Sequence, residues 1–304
     1  MLSYTPLKWT ASAVFAFALL GCGGGADGTK DAATKADSLD TAAQQSGASL
    51  MKVGGKLFSI PSPVQTALLI RKLGLPYEKA LPMPADAAEK MASKAQRALA
   101  LGMYGADLAY VTVHKDGQRA LTILQTVHQI SDKIGIANAF DQELMEGFKK
   151  SLNNEDSLLR FSGTAFRAAD QYLKNNNSDD VSALVLTGGW IEGMYLTLSG
   201  ANEKSDVALT NRLGEQRRTL ENLISLIESS DTEKTQSGLV AGLKDVLSAY
   251  GGVSISYEFQ PPSTDISKKT TYVNSVSSVT MTAEQFKAIA DKVKALRATI
   301  TATA

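Results

Sequence analysis

From Pro63 onward the apolar positions recur mostly at spacings of three and four, the period of an α-helix with one buried face. Ser62-Pro63 supplies an N-cap and a first-turn proline, and Gly74 with Pro76 supplies the stop, so the first helix is expected over 63–73. Pro84 opens a second expected helix, running through Gly102 and Gly105 to His114. Further helices are expected near 117–134, 139–152, 156–174, 180–199, 206–229 and 235–250. Asn153-Asn154, Asn175-Asn176-Asn177 and Gly200-Ala201-Asn202 break the pattern between them. The period then changes. Val253 to Gln260 alternates apolar and polar residues, and Thr270 to Met281 is rich in Thr, Val and Tyr, so a β-hairpin is expected over 253–281. Its polar loop holds Asp265, Lys268 and Lys269. Thr282 with Gln285 reads as a capping box for a closing helix over 282–300. That helix carries an apolar stripe of Phe286, Ile289, Val293, Leu296 and Ile300, and the pattern turns Lys287, Lys294 and Arg297 away from it.

Two pairs of segments repeat in consistent order. Ala98-Leu99-Ala100-Leu101 and Asp107-Leu108-Ala109-Tyr110-Val111-Thr112-Val113 align without gaps on Ala183-Leu184-Val185-Leu186 and Glu192-Gly193-Met194-Tyr195-Leu196-Thr197-Leu198 at an offset of 85. Leu144, Gly147, Phe148, Lys149 and Leu152 align on Leu239, Gly242, Leu243, Lys244 and Leu247 at an offset of 95. The fold expected is mainly α: a duplicated multi-helix bundle with repeats near 60–154 and 156–250, followed by the hairpin and the closing helix.

The N-terminus has a different character. One early lysine (Lys8) and an apolar run from Ala11 to Leu20 precede Leu19-Leu20-Gly21-Cys22, which resembles the lipobox of bacterial lipoprotein signals. That resemblance implies a signal peptide over 1–21, diacylglycerol on the Cys22 sulfur, cleavage before Cys22 and acylation of the new N-terminus. Residues 22–56 are dominated by Gly, Ala, Asp, Thr, Ser and Gln, with too few large apolar side chains to offset the entropy of ordering, and are expected to be a flexible tether. A coil of that length spans roughly 30 Å root-mean-square. The helical domain is expected over 57–304. Cys22 is the only cysteine, so lipidation would remove the one thiol from disulfides, metal sites and nucleophilic chemistry. Basic and acidic residues balance at 31 each, which gives no global attraction to nucleic acid.

Candidate chemistry is sparse. Val181 to Leu198 holds one charge, Glu192, in a stretch long enough to approach a membrane span, with Gly189 and Gly193 at the spacing that lets helices approach closely. An exported, lipid-anchored chain favours a buried central helix instead. Glu192 and its repeat counterpart Asp107 are then the sharpest candidates, because a buried carboxylate must be paired, hydrogen-bonded or protonated. Facing each other, they could hold a cation or share a proton; otherwise each satisfies a backbone N–H, a tyrosine or an arginine. Tyr110 and Tyr195 follow the two acids by three residues on the same face. Trp190 beside Gly188-Gly189 could floor a ligand pocket or fill core. His114 and His128 are too far apart to share a metal, and Arg160, Arg167 and Lys174 share a helix face expected to meet solvent. No cofactor motif or metal-ligand cluster is present: the nucleophile elbow, Walker loop, His-Glu-x-x-His pair and dinucleotide glycine fingerprint are all missing.

Ser62-Pro63-Val64, Tyr104-Gly105-Ala106-Asp107-Leu108-Ala109-Tyr110 and Gly188-Gly189-Trp190-Ile191-Glu192-Gly193 resemble an uncharacterised group of helical lipoproteins of Bacteroidota, over about residues 60–250. The resemblance implies location and fold, not an activity. Gly23 after Cys22, rather than Asp, tilts the expected location toward the outer membrane. The expectation is a lipid-anchored envelope protein, held to the membrane through Cys22 and acting as a non-enzymatic binding or assembly component. It would present a helical surface to an envelope partner protein or small ligand. The alternative is a cation-dependent or carboxylate-based enzyme using Asp107 and Glu192.

Overall fold

The computed structural model describes residues 48–53, 56–61, 63–139, 142–151, 171–173, 176, 178–201, 207–267, 270–272 and 274–302. The expected signal peptide, Cys22, the tether up to residue 47, most of the helix expected at 156–174, and the face of Arg160, Arg167 and Lys174 lie outside them. Among the described residues the fold is mainly helical, with small antiparallel β-elements and a closing helix. The helices are α1 (Pro63–Lys72), α2 (Lys94–Val113), α3 (Gly117–Lys133), α4 (Gln142–Ser151), α5 (Asp179–Gly200), α6 (Val207–Ser230), α7 (Ser237–Ser248) and α8 (Ala283–Ala302).

At the centre α2 and α5 run parallel, side by side along their lengths. Gly102 faces the backbone of Val185 and Gly189, and Gly188 faces the backbone of Leu99. At both places the two main chains leave no room for a Cβ. The first turns also sit together: Lys94 and Ala95 line one cavity with Asp180 and Val181. The segments that align at an offset of 85 are therefore neighbours at matching heights. α5 is the one helix among the described residues long and apolar enough to cross a membrane, but 83% of its apolar window is buried inside the body. It is a core helix, enclosed by α1, α2, α6 and α8.

The expected helix from Pro84 to His114 is divided. Ala85–Lys90 forms a 3₁₀ turn, and α2 begins only after Ser93. There the Ser93 side chain accepts from Gln96 N–H, and Gln96 Oε1 accepts from Ser93 N–H at 2.9 Å, a complete capping box. The same reciprocal arrangement joins Thr282 and Gln285 at the start of α8. The five residues of the closing stripe, Phe286 to Ile300, are all buried, as expected.

Two β-features differ from the sequence pattern. Residues 48–53, placed in the tether by composition, form strand β1 (Ala48–Val53), which pairs antiparallel with β2 (Lys56–Pro61). Both strands pack on α6. In the C-terminal arm, β3 (Ser254–Glu258) pairs with β6 (Val276–Thr280) as expected, but the polar loop between them contains a second short hairpin, β4 (Ser263–Asp265) with β5 (Thr270–Tyr272). The base of the arm is fixed on α6. Val279 N–H donates to Asn211 Oδ1 at 2.9 Å, and the Val279 side chain fills the space above Gly214.

The close helix contact gives a direct test. Gly102→Ala should cost about 2–3 kcal/mol in urea denaturation, because the methyl meets main chain that cannot move aside without separating α2 from α5. Gly238→Ala, in the first turn of α7 with open space around it, should instead gain about 0.5–1 kcal/mol. Equal effects would place the constraint elsewhere.

Candidate functional site

Asp107 and Glu192 are both fully buried, and the parallel contact of α2 with α5 brings them together. Glu192 is met by Arg297 from α8 in a side-on bidentate pair, Nε to Oε2 at 2.7 Å and Nη2 to Oε1 at 2.8 Å. The sequence pattern turned Arg297 toward solvent. The structure corrects this: its side chain retains only 15% exposure. The guanidinium also donates from Nη2 to Leu81 O at 3.2 Å and lies over the Tyr195 ring, 4.0 Å from the centroid.

Asp107 lacks such a cation of its own. Its Oδ2 accepts from Met83 N–H at 3.0 Å, while Oδ1 is buried without a geometrically satisfied partner. Burial raises its pKa well above the usual range, and the adjacent Glu192 charge raises it further. Burial also raises Glu192, while the hydrogen bonds and charge of Arg297 work the other way. The two carboxyls titrate as a coupled pair, and Asp107, which has no cation of its own, is the one that burial and the neighbouring charge drive toward its neutral form.

Of the other residues singled out by sequence, Tyr195 joins the acids through Arg297, while Tyr110 and Trp190 are engaged elsewhere. Tyr110 accepts from Glu78 N–H at 2.9 Å and donates to Pro76 O at 3.3 Å. Tyr195 follows its acid onto the arginine. Trp190 lies elsewhere, with Nε1 donating to Gln216 Oε1 at 2.9 Å. The cavity beside it, next to Pro63, Thr66 and Leu213, measures about 20 Å³, room for no more than a water-sized group, so Trp190 fills core. Among the described residues no group of three or more His, Cys, Asp or Glu side chains is arranged to hold a metal ion.

The polar side chains around the acids share one task. The irregular stretch from Pro76 to Pro84 lies over α2, and its backbone groups need partners. Asp107 takes Met83 N–H, Arg297 takes Leu81 O, Tyr104 donates to Pro84 O at 2.6 Å, and Arg119 donates to Lys79 O. Tyr77, from the same stretch, donates to Asp116 Oδ2 at 2.6 Å and stacks on His114 at 4.8 Å. Burial and this bond push the Tyr77 hydroxyl up to about 12. His114, at the C-terminal end of α2, is half-buried between Tyr77 and Tyr110. Burial lowers its pKa, and nearby Arg71 lowers it further.

A separate cavity of about 390 Å³ opens where α2 and α5 begin and α6 turns into α7. Val181, Leu184 and Ile227 form its buried apolar wall, and Lys94, Asp180 and Glu233 stand exposed around it. Asp231, also in the lining, is taken up by Thr235 and by Gln236 N–H. Sequence periodicity gave no sign of this cavity, because it is made by three helix ends distant in the chain. Comparisons of the chain with protein-family models, curated proteins and solved structures return no match.

Three variants test these electrostatics. Arg297→Met should cost about 3–5 kcal/mol in denaturant unfolding, since it leaves Glu192 charged and buried. Asp107→Asn, which copies the protonated acid, should be far milder. The folded pKa of Asp107 is raised, so its contribution is present below its ordinary 3.8 and is lost as pH rises through the folded value. The Asn variant should therefore gain on wild type as pH increases from about 4, read as the difference in Tm. His114 has the opposite sign. Its folded pKa lies below the ordinary 6.5, so its contribution is present above 6.5 and lost as pH falls toward the folded value. His114→Phe, which keeps an aromatic ring against Tyr77, should flatten the stability loss between about pH 6.5 and 5. An unchanged slope would rule out His114 as its source.

Proposed function

We propose that the protein is a lipid-anchored component of a bacterial cell envelope, attached through Cys22, with a binding or assembly role and no catalysis of its own. The observation that carries the non-enzymatic reading is the use made of the two buried acids. Glu192 is matched by Arg297, and Asp107 by Met83 N–H and its carboxyl neighbour. Both are directed at groups of the body itself, which supports a structural role rather than a cation or acid–base site. The anchor rests on the lipobox-like Leu19-Leu20-Gly21-Cys22. The parallel placement of 98–113 beside 183–198 is consistent with a duplicated ancestral unit, the architecture suggested by the two aligned segment pairs. Two-unit helical bodies present broad, preformed surfaces. On this one, the cavity of about 390 Å³ has the size and the mixed apolar and polar lining that suit a small ligand.

The test has two arms. In cells, Cys22→Ser should abolish incorporation of labelled fatty acid and leave the leader of residues 1–21 uncleaved, so that the variant runs larger than wild type on a denaturing gel. Retention of label by Cys22→Ser would overturn the anchor. For the second arm, Asp107→Asn should complement whatever phenotype deletion produces. Loss of complementation by a variant of unchanged Tm would make Asp107 a chemical group and revive the carboxylate-enzyme reading.

A further inference from the structure

The large apolar side chains left uncovered by the body are concentrated on the C-terminal arm. Ile255, Tyr257, Phe259, Ile266, Tyr272 and Val276 are all strongly exposed, with Phe259 at 68% and Ile266, in the turn after β4, at 86%. We infer that this arm enters the interfacial layer of the lipid bilayer to which the chain is anchored, as a second, non-covalent membrane contact.

Three observations point to lipid as the occupant. The first is the distribution of the side chains within the arm. Cross-strand pairing sets Ile255 opposite Val279 and Tyr257 opposite Ser277, so Ile255 and Tyr257 share the face that Val279 buries against α6. Val276 pairs with Glu258 and belongs to the opposite face, with Ser254, Ser256 and Ser278. Ile266 and Tyr272 lie beyond, in the inner hairpin. A protein partner or a second copy seated on one face would leave the other apolar groups in water. A medium that surrounds the outer arm covers them together. The second observation is the residue type: aromatic rings with a polar edge, Tyr257 and Tyr272, accompany aliphatic residues, the mixture favoured at the membrane–water interface. Glu258 and Asp265 keep the insertion shallow.

The third observation is where the chain enters the body. β1 begins at Ala48 and packs with β2 on α6, the helix that also holds the base of the arm. The polar composition of residues 23–47 gives a reach of roughly 30 Å. β1 and the arm thus meet the body on one helix, and the 25 residues between Cys22 and Ala48 bound how far from β1 a bilayer holding Cys22 can lie. This placement rests on the lipid anchor proposed above; the exposure of the arm does not.

The experiment separates the two. The full chain after residue 21, carrying Cys22→Ser so that neither an acyl chain nor the apolar leader contributes, is mixed with phosphatidylcholine vesicles and sedimented. Most of the protein should pellet with the vesicles and remain there in 0.5 M salt, because the contact is apolar. In a Phe259→Trp variant, tryptophan emission should move to the blue on vesicle addition, against the constant background of buried Trp190. The double variant Tyr257→Ser/Ile266→Ser should lose vesicle binding at least tenfold with an unchanged circular-dichroism melt. Failure of the folded protein to bind vesicles, or undiminished binding by the double variant, overturns the inference. So does a concentration-dependent dimer in light scattering that the double variant abolishes while vesicles are ignored, since the arm would then be a self-association surface. None of these outcomes bears on Cys22, whose lipidation is read separately by fatty-acid labelling.

Discussion

The contact that organises the molecule is main chain against main chain. Gly102 and Gly188 let α2 and α5 lie parallel with no side chain between them at either crossing. Helices this close exclude water from the residues at the same level further along, and those residues include Asp107 and Glu192. Two carboxyls in a dry space cannot both stay ionised without a cation. Arg297, arriving from α8, answers the Glu192 charge, and burial beside that charge drives Asp107 toward its neutral form. The docking of the closing helix is thus tied to the central pair by an ion pair as well as by its apolar stripe. The position of Tyr195 under the guanidinium, one turn beyond Glu192, adds a cation–π contact to the same lock.

The stretch from Pro76 to Pro84 shows a second consequence. It crosses α2 without forming a helix or strand of its own, so its backbone groups cannot satisfy one another. Tyr104, Asp107, Tyr110, Arg119 and Arg297 reach out to it from three helices. Burying polar side chains in a helical core is costly unless they are bonded. Here the helix side chains and the loop backbone satisfy each other, which explains why the acid and the tyrosines lie within otherwise apolar sequence.

Much of this was legible in the chain. Helices α1, α3, α5, α6, α7 and α8 fall within a few residues of their periodic segments, because each has a regular stripe and a clear stop. Asp107 and Glu192 were found by alignment of two segments and by their isolation among apolar neighbours. Arg297 was missed because helical periodicity assigns a face to the Cα position, while a long side chain can reach back across the edge of the stripe. The break before α2 did carry a signal, Ser93 with Gln96, but Met91 and the alanines continued the helical spacing through it. Strands β1 and β2 flank Gly54-Gly55, a hairpin signature hidden in a stretch whose composition read as tether. The cavity and the stacking of His114 on Tyr77 depend on how distant elements meet, which no local pattern encodes.

Arg297 follows Glu192 by 105 residues, and Glu192 follows Asp107 by a further offset of 85. A chain emerging N-terminus first therefore presents the two acids well before the arginine that reconciles them. Until then, closing α2 against α5 would trap an extra negative charge, or require an extra proton, inside a water-free contact. The ion pairing that completes the central contact is thus supplied by the last helix of the chain.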